Sequence, residues 1–536
     1  MKKTFLTLLV CLCLVATAFT VESVTEDSVR VTGGQITGTT TPDGMVRIYK
    51  GIPFATPPVG ALRWQAPQPV IPWSNVRQCD AFGPSPMQGN PTPFGPWSAE
   101  YLIPKVSISE DCLYLNVWSG AKSTQQKRPQ DRTGRSAGTG TAGTGKPLPV
   151  LVWIYGGGFG SGGAGCAIYD GEAMARKGIL FVSFNYRVGP FGFLAHPELT
   201  KESSRGASGN YGLMDQIAAL EWVKQNIAAF GGDPANVTIA GQSAGSMSVN
   251  CLVASPLAKG LFSKAIAQSG ASFGRPMSSL QQAEESGLKV MQTLGTTSLA
   301  AMRALSAEEI LKKAQGGMRG PVVDGYVLPQ SVPQLFAARK QNDVALLTGW
   351  NEDEGMAMGK PKTADEYRQQ AEKQYGSNAT AYLQHYPGRT DTEAARAQID
   401  VSRDQTFGAP NYAWANLQAG QGKPVYVYRF TRKLPALGQY AHYGAFHTGE
   451  VAYTYDNLKF IDRTLRPLNK TDDELARVMS SYWANFIKTG NPNGPGLPQW
   501  PTYTTGRESI IALGDDIQTK PLPDGGRLDF LLGLIK

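Results

Sequence analysis

The sequence predicts an α/β architecture: a large, mostly parallel central sheet covered by helices on both faces. Three observations predict it. Continuous apolar, β-branched runs alternate with helical patterns after residue 150, which is how strands buried on both faces read. One run, Val237-Thr238-Ile239, feeds straight into Gly241-Gln242-Ser243-Ala244-Gly245, a serine between two glycines at a sharp strand-to-helix turn. The 536 residues, of globular composition, are enough for one large core with insertions.

The N-terminus reads Met1-Lys2-Lys3, an apolar run from Phe5 to Val15, then Ala16-Thr17-Ala18. Basic, apolar and small-residue segments in that order predict a signal peptide over residues 1–18, cleaved near Ala18, and a secreted or periplasmic protein. The run is shorter than the roughly 20 residues a membrane anchor needs, and no later stretch is long and apolar enough to replace it. Cys11 lacks the small residues that precede a lipidated cysteine, which leaves lipidation a minor alternative. Once Cys11 and Cys13 leave with the signal, Cys79, Cys112, Cys166 and Cys251 remain. An even set in an oxidising compartment favours disulfides over metal ligation. No C-x-x-C spacing occurs and the 4 histidines are scattered, so neither a metal nor a cofactor is expected.

The formal net charge is +8, which raises nucleic acid as a partner. Lys2 and Lys3 leave with the signal, however, and Lys122 to Lys146 carries six basic residues against Asp131. Basicity concentrated in one tract is not a binding face, and nucleic-acid binding is excluded on that ground. The tract from Lys122 to Pro147 holds no large apolar residue and reads as a disordered surface insertion, not as a boundary. Residues 19–536 are therefore expected to form a single domain.

Taken in order, the strand-like Cys112–Trp118 and Val150–Tyr155 flank the insertion and suggest neighbouring strands joined by a long hairpin loop. Buried-strand runs follow at 179–186, 237–240, 264–268, 344–348 and 425–430, with helices at 215–229 and after Ser243. The stretches 276–317 and 363–398 are amphipathic and helical, placed to flank the sheet.

Chemistry centres on Ser243. Side chains at Gly241 and Gly245 would obstruct a turn that sharp, so G-x-S-x-G follows from sterics. Upstream, Tyr155-Gly156-Gly157-Gly158-Phe159 follows a strong strand, and such glycines let N–H groups point at an oxyanion; the residue after the serine, Ala244, supplies another. A serine needs a base. Among His196, His385, His442 and His447, the last lies in a loop beyond the 425–430 strand, in the chain order serine, acid, histidine. The acid falls between them, where the 344–348 strand delivers Glu352, Asp353 and Glu354. Spacing does not choose among the three.

Together these motifs resemble the type-B carboxylesterase and cholinesterase family of α/β-hydrolases over nearly the whole mature chain. Further similar elements are Tyr49-Lys50-Gly51-Ile52-Pro53-Phe54-Ala55, Ser109-Glu110-Asp111-Cys112-Leu113-Tyr114-Leu115-Asn116, Gly209-Asn210-Tyr211-Gly212-Leu213-Met214-Asp215-Gln216 and Phe230-Gly231-Gly232-Asp233-Pro234. The resemblance implies the α/β-hydrolase fold and a serine carboxylesterase acting on small-molecule esters through an acyl-enzyme. It implies Ser243 as nucleophile, Glu354 as orienting acid, His447 as general base, and an oxyanion hole from the N–H groups of Gly157, Gly158 and Ala244. It also implies a Cys79–Cys112 disulfide, with Cys166 and Cys251 pairing only by exclusion. Gln242 departs from the family, where an acidic residue usually precedes the nucleophile. The alternatives are amide, carbamate or lactone hydrolysis with the same triad, and a non-catalytic binding protein on the same fold. Trp97, Phe159, Trp350, Phe407 and Phe446 are candidates to line an acyl or alcohol pocket. The chain ends at Lys536 without a helical tail, which favours a monomer.

Overall fold

The computed structural model describes residues 28–120, 146–274, 276–314, 320–355 and 361–534. The expected signal at residues 1–18 and nearly all of the inserted tract at 122–147 lie outside these residues. Eleven strands form the central sheet: β1 (Thr39–Thr40), β2 (Arg47–Pro53), β3 (Tyr114–Ser119), β4 (Leu148–Ile154), β5 (Leu180–Phe184), β6 (Gly232–Gln242), β7 (Lys264–Gln268), β8 (Ala345–Asn351), β9 (Val425–Phe430), β10 (Ser509–Leu513) and β11 (Ile517–Pro521). Their spatial order is β11-β10-β9-β8-β7-β6-β4-β5-β3-β2-β1. From β10 to β5 every pairing is parallel, and both margins are antiparallel. The inner strands are buried over most of their length, as Val150–Ile154, Leu180–Phe184 and Val425–Phe430 illustrate. Each such side chain contributes about 1.5–3 kcal/mol relative to exposure.

The strands at 264–268 and 425–430 stand where the sequence puts them, and the helix expected at 215–229 runs from Tyr211 to Asn226 and continues as a 3₁₀ turn to Phe230. The 276–317 region holds helices Leu280–Leu294, Leu299–Ala304 and Ala307–Lys313, and the 363–398 region Ala364–Tyr375, Ala379–His385 and the start of Asp391–Arg403. The expected hairpin is corrected. β5 lies between β3 and β4, setting Phe181 against Trp118 on one side and Leu151 on the other. All five residues of β5 are buried, and a strand apolar on both faces takes an interior position with a neighbour at each edge.

The Cys79–Cys112 bridge is likewise not formed. Cys79, Cys112, Cys166 and Cys251 are all buried free thiols. Cys112 sits in an apolar pocket with Trp64, Met87 and Phe191, near the Arg187–Asp215 ion pair, whereas Cys79 lies beside Arg77 and Asp80, its carbonyl accepting from Lys50 N–H. Burial raises every one of these thiols, Cys166 and Cys251 to about 12, which keeps them protonated. Among the described residues, no helix is long and apolar enough to cross a membrane.

One buried ion pair fastens a helix to the sheet beneath the site. Arg187, just past β5, donates from Nε and Nη2 to the Asp215 carboxylate at 2.8 and 2.7 Å, and its backbone N–H adds a third bond at 3.0 Å. The side chains are 3 % and 0 % exposed, so losing either partner leaves an uncompensated charge in the core. Asp215→Ala is expected to cost about 3–5 kcal/mol of unfolding free energy, read as a fall in the urea midpoint; a change below about 1 kcal/mol would show that the pair is solvated in solution.

Candidate active site

β6 ends at Gln242, and Ser243 turns the chain into the helix Ala244–Ala254. Ser243 adopts φ +59° and ψ −126°, a conformation costly for a side-chain-bearing residue and held only where surroundings over-determine it. The surroundings are backbone. A Cβ on Gly245 would lie 2.0 Å from the Ile154 carbonyl oxygen, and one on Gly241 would lie 2.4 Å from the Gly245 carbonyl. Ser243 N–H donates to the Gln268 carbonyl of β7 at 2.9 Å, and the Ser243 carbonyl accepts from Met247 N–H at 2.9 Å.

The glycine loop beyond β4 abuts this turn: a Cβ on Gly156 would fall 2.9 Å from Ser243 Cβ. Its base is fixed by Tyr155 and Tyr186, whose rings stack at 4.5 Å while each hydroxyl donates to the other's carbonyl at 3.0 Å. Gly157, Gly158 and Phe159 all have positive φ, at +113°, +61° and +59°. Among the described residues, no acceptor takes the N–H of Gly157, Gly158 or Ala244, and a Cβ on Gly158 would meet open space. Three N–H groups without a protein acceptor at one strand–helix junction are the kind of donors that suit an anion.

Of the three carboxylates after β8, Glu354 is the one that reaches His447. Glu354 Oε2 lies 2.8 Å from His447 Nδ1, and Glu354 Oε1 accepts from Asn351 N–H at 2.8 Å. Glu352 instead pairs with Arg429 at 2.8 Å, and Asp353 with Arg396 at 2.7 Å. A carboxylate only accepts, so Nδ1 carries the proton and Nε2 presents its lone pair. The other histidines are otherwise occupied. His196 accepts from Glu198 N–H as a helix cap, His385 packs on Phe530, and His442 on Tyr443. Ser243 Oγ forms no hydrogen bond to His447 in this structure; such bonds are often long before substrate arrives and tighten in the complex.

Of the aromatic candidates, two reach the imidazole. Phe407 stacks on it at 4.4 Å and 17°, and Trp97 stands edge-on at 6.3 Å. Phe407 gets there from a π-turn, Asp404–Gly408, between the helices Asp391–Arg403 and Ala409–Ala419. Pro410, lacking an N–H, leaves the ladder a bond short at that point. Phe159 belongs to the glycine loop and packs on Phe193 at 5.2 Å. Trp350 and Phe446 are buried in the core and make no ring contact with the imidazole among the described residues. Arg429 covers Trp350 at 5.1 Å and Arg466 covers Phe446 at 4.8 Å.

One acidic group near the site escaped the sequence reading, since three residues past a histidine is no motif. Glu450 is fully buried, its carboxylate accepting from Asn351 Nδ2 at 2.6 Å and Gln268 Nε2 at 3.1 Å. Burial first, and the Glu354 charge second, raise its pKa to about 7. For an acid raised in the fold, the unfolded chain loses its proton first, so stability falls as pH climbs from the ordinary carboxylate value towards 7. Glu450→Gln is expected to gain about 3 kcal/mol relative to the parent between about pH 4 and pH 8, at about 1.4 kcal/mol per unit. Parallel urea-stability curves for the two proteins across that range would refute the shift.

The chain is similar to known esterases. Residues 25–530 match the Carboxylesterase family. The chain is 35 % identical over 521 residues to the fumonisin B1 esterase of Sphingopyxis macrogoltabida, covering 94 % of this chain and 89 % of that one. It is 35 % identical over 518 residues to the para-nitrobenzyl esterase of Bacillus subtilis (strain 168), covering 92 % and 95 %. A solved PNB esterase structure matches with a TM-score of 0.78 at 32 % identity, over 95 % of this chain and 99 % of that one. A parallel sheet covered by helices, with a serine turn, a glycine loop and a carboxylate–histidine pair at the ends of its strands, is the α/β-hydrolase arrangement, and the chain belongs to the carboxylesterase family of ester hydrolases.

Proposed function

We propose that this protein is an exported serine carboxylesterase in which Ser243 is the nucleophile, His447 the general base and acid, and Glu354 the residue that orients the imidazole. The single observation that supports it is the 2.8 Å Glu354–His447 Nδ1 contact, which leaves Nε2 as the ring's acceptor. Export rests on the N-terminal pattern ending at Ala18.

The steps follow from the chemistry. Ser243 Oγ attacks the ester carbonyl carbon while His447 Nε2 takes its proton. The N–H groups of Gly157, Gly158 and Ala244 receive the oxyanion, and, being backbone held by packing, need no reorganisation as charge develops. His447 returns the proton to the departing alcohol, leaving Ser243 acylated. Water then attacks the acyl carbon, with His447 again as base, and the carboxylic acid leaves. Glu354, buried and bonded to Asn351 N–H, steadies the imidazolium formed in each half.

Relatives named as a para-nitrobenzyl esterase and a fumonisin B1 esterase make small carboxylic esters the first probes. Purified mature protein is expected to hydrolyse p-nitrophenyl esters, and Ser243→Ala to lower kcat by about 10⁶-fold; a folded parent inactive across acyl lengths would defeat the proposal. Glu354→Gln is expected to lower kcat by about 10⁴-fold through loss of the correct tautomer. Retention of more than a tenth of the parental rate would remove Glu354 from the mechanism.

A further inference from the structure

The residue ahead of the nucleophile has a contact that the reaction scheme does not use. Gln242 is 2 % exposed. Its Nε2 lies 3.2 Å from His447 Nε2 and 3.4 Å from His447 Nδ1. The two ring nitrogens flank a single carbon, so a donor almost equidistant from both is on neither nitrogen's in-plane lone-pair axis. An approach within the ring plane at that range would drive the amide into the intervening carbon. The amide therefore lies over a face of the imidazole. Phe407 is stacked on a face at 4.4 Å and 17°, which leaves the opposite one for Gln242.

The amide is itself anchored. Gln242 Oε1 accepts from Thr448 Oγ1 at 3.4 Å, and Thr448 Oγ1 accepts from Trp97 Nε1 at 3.2 Å. Thr448 holds φ +80°, a genuine outlier for a β-branched residue and one kept only by surrounding structure. The ring thus has Phe407 on one face, Gln242 on the other and Glu354 at Nδ1.

We propose that Gln242 is a positioning residue: with Phe407 it clamps the His447 ring in the plane that aims Nε2 at Ser243, and its neutral amide lets the base work at lower pH than a carboxylate there would. This deepens the esterase reading and rests on it. The electrostatic half follows from the amide's dipole. The N–H end faces the ring, which suits the uncharged imidazole and disfavours the imidazolium. A carboxylate in the same place would favour the imidazolium, and the base would then switch on only at higher pH. The ionisable groups facing His447 are Glu354 from the turn after β8 and Glu450, which caps the short helix Val451–Thr454; Gln242 from β6, Phe407 from the π-turn and Trp97 bring no charge.

The test uses the full mature chain and a p-nitrophenyl ester, with kcat and KM measured across pH for the parent, Gln242→Glu and Gln242→Met. The Glu side chain still accepts from Thr448 and fills the same space; the Met side chain fills it without polar atoms. The acid limb of kcat/KM is expected to move up by about one pH unit in Gln242→Glu, with kcat recovering to within a few-fold of the parent above that limb. Gln242→Met is expected to lose about 10²-fold in kcat at every pH with KM nearly unchanged, the cost of a misaimed base. Superimposable profiles for all three proteins would overturn the proposal, and so would equal losses in both variants with no change in profile shape. A parent without Ser243-dependent hydrolysis is a different result, since it removes the esterase reading itself.

Discussion

Everything at the active site depends on how closely the end of β4 approaches the start of the helix after Ser243. The Ile154 carbonyl sits where a side chain on Gly245 would begin, 2.0 Å from the position of its Cβ. That contact does two things at once. It forces Ser243 into its strained turn, and it presses the glycine loop that follows β4 against the same serine, with Gly156 at the Gln242 carbonyl and Ser243 Cβ. The serine and the free N–H groups are consequently not two features to be aligned but one packed junction. Backbone strain of order 1–3 kcal/mol at one residue is small beside the burial of the strands that impose it.

The same reasoning explains which parts of the site were legible beforehand. Ser243 and the glycine loop are readable because their constraint is local: sterics demand glycine at fixed offsets, and the offsets appear in the sequence. His447 is readable only through chain order, and the acid not at all from spacing, because Glu352, Asp353 and Glu354 differ by rotation about the end of β8. What separates them is the distribution of arginines. Arg429 and Arg396 claim the first two, and the third is left for the histidine. Those cations come from β9 and from the helix Asp391–Arg403, tens of residues away, and no local pattern announces them. The aromatic residues are unreadable for a similar reason. Arg429 and Arg466, remote in sequence, cover Trp350 and Phe446, whereas Phe407 reaches the imidazole from a π-turn. The fold was clearer. Strands buried on both faces read as apolar runs wherever they occur, but their lateral order does not, which is why β5 between β3 and β4 came only from the structure.

The carboxylates around His447 show how the site manages charge. Glu354 is buried, yet two hydrogen bonds hold its oxygens, and it faces a ring that the proposed mechanism makes positive. Glu450, one asparagine away, has donors on both sides but no cation, and its pKa near 7 follows from burial and from the Glu354 charge. Two carboxylates linked through Asn351 do not both ionise cheaply in a medium where unscreened repulsion is strong. Geometry has given one of them the imidazole and left the other holding a proton around neutrality. A third carboxylate at position 242, the arrangement to which the family resemblance points, would add another negative group within reach of the same ring. With glutamine there, the negative charge next to the imidazole is concentrated on Glu354, on the Nδ1 side. The electrostatic pull on the developing imidazolium then has a direction as well as a magnitude. It draws the ring towards Nδ1 and away from Ser243, and the clamp of Phe407 and Gln242 acts at right angles to that pull, keeping the ring from tilting out of the plane in which the proton must travel.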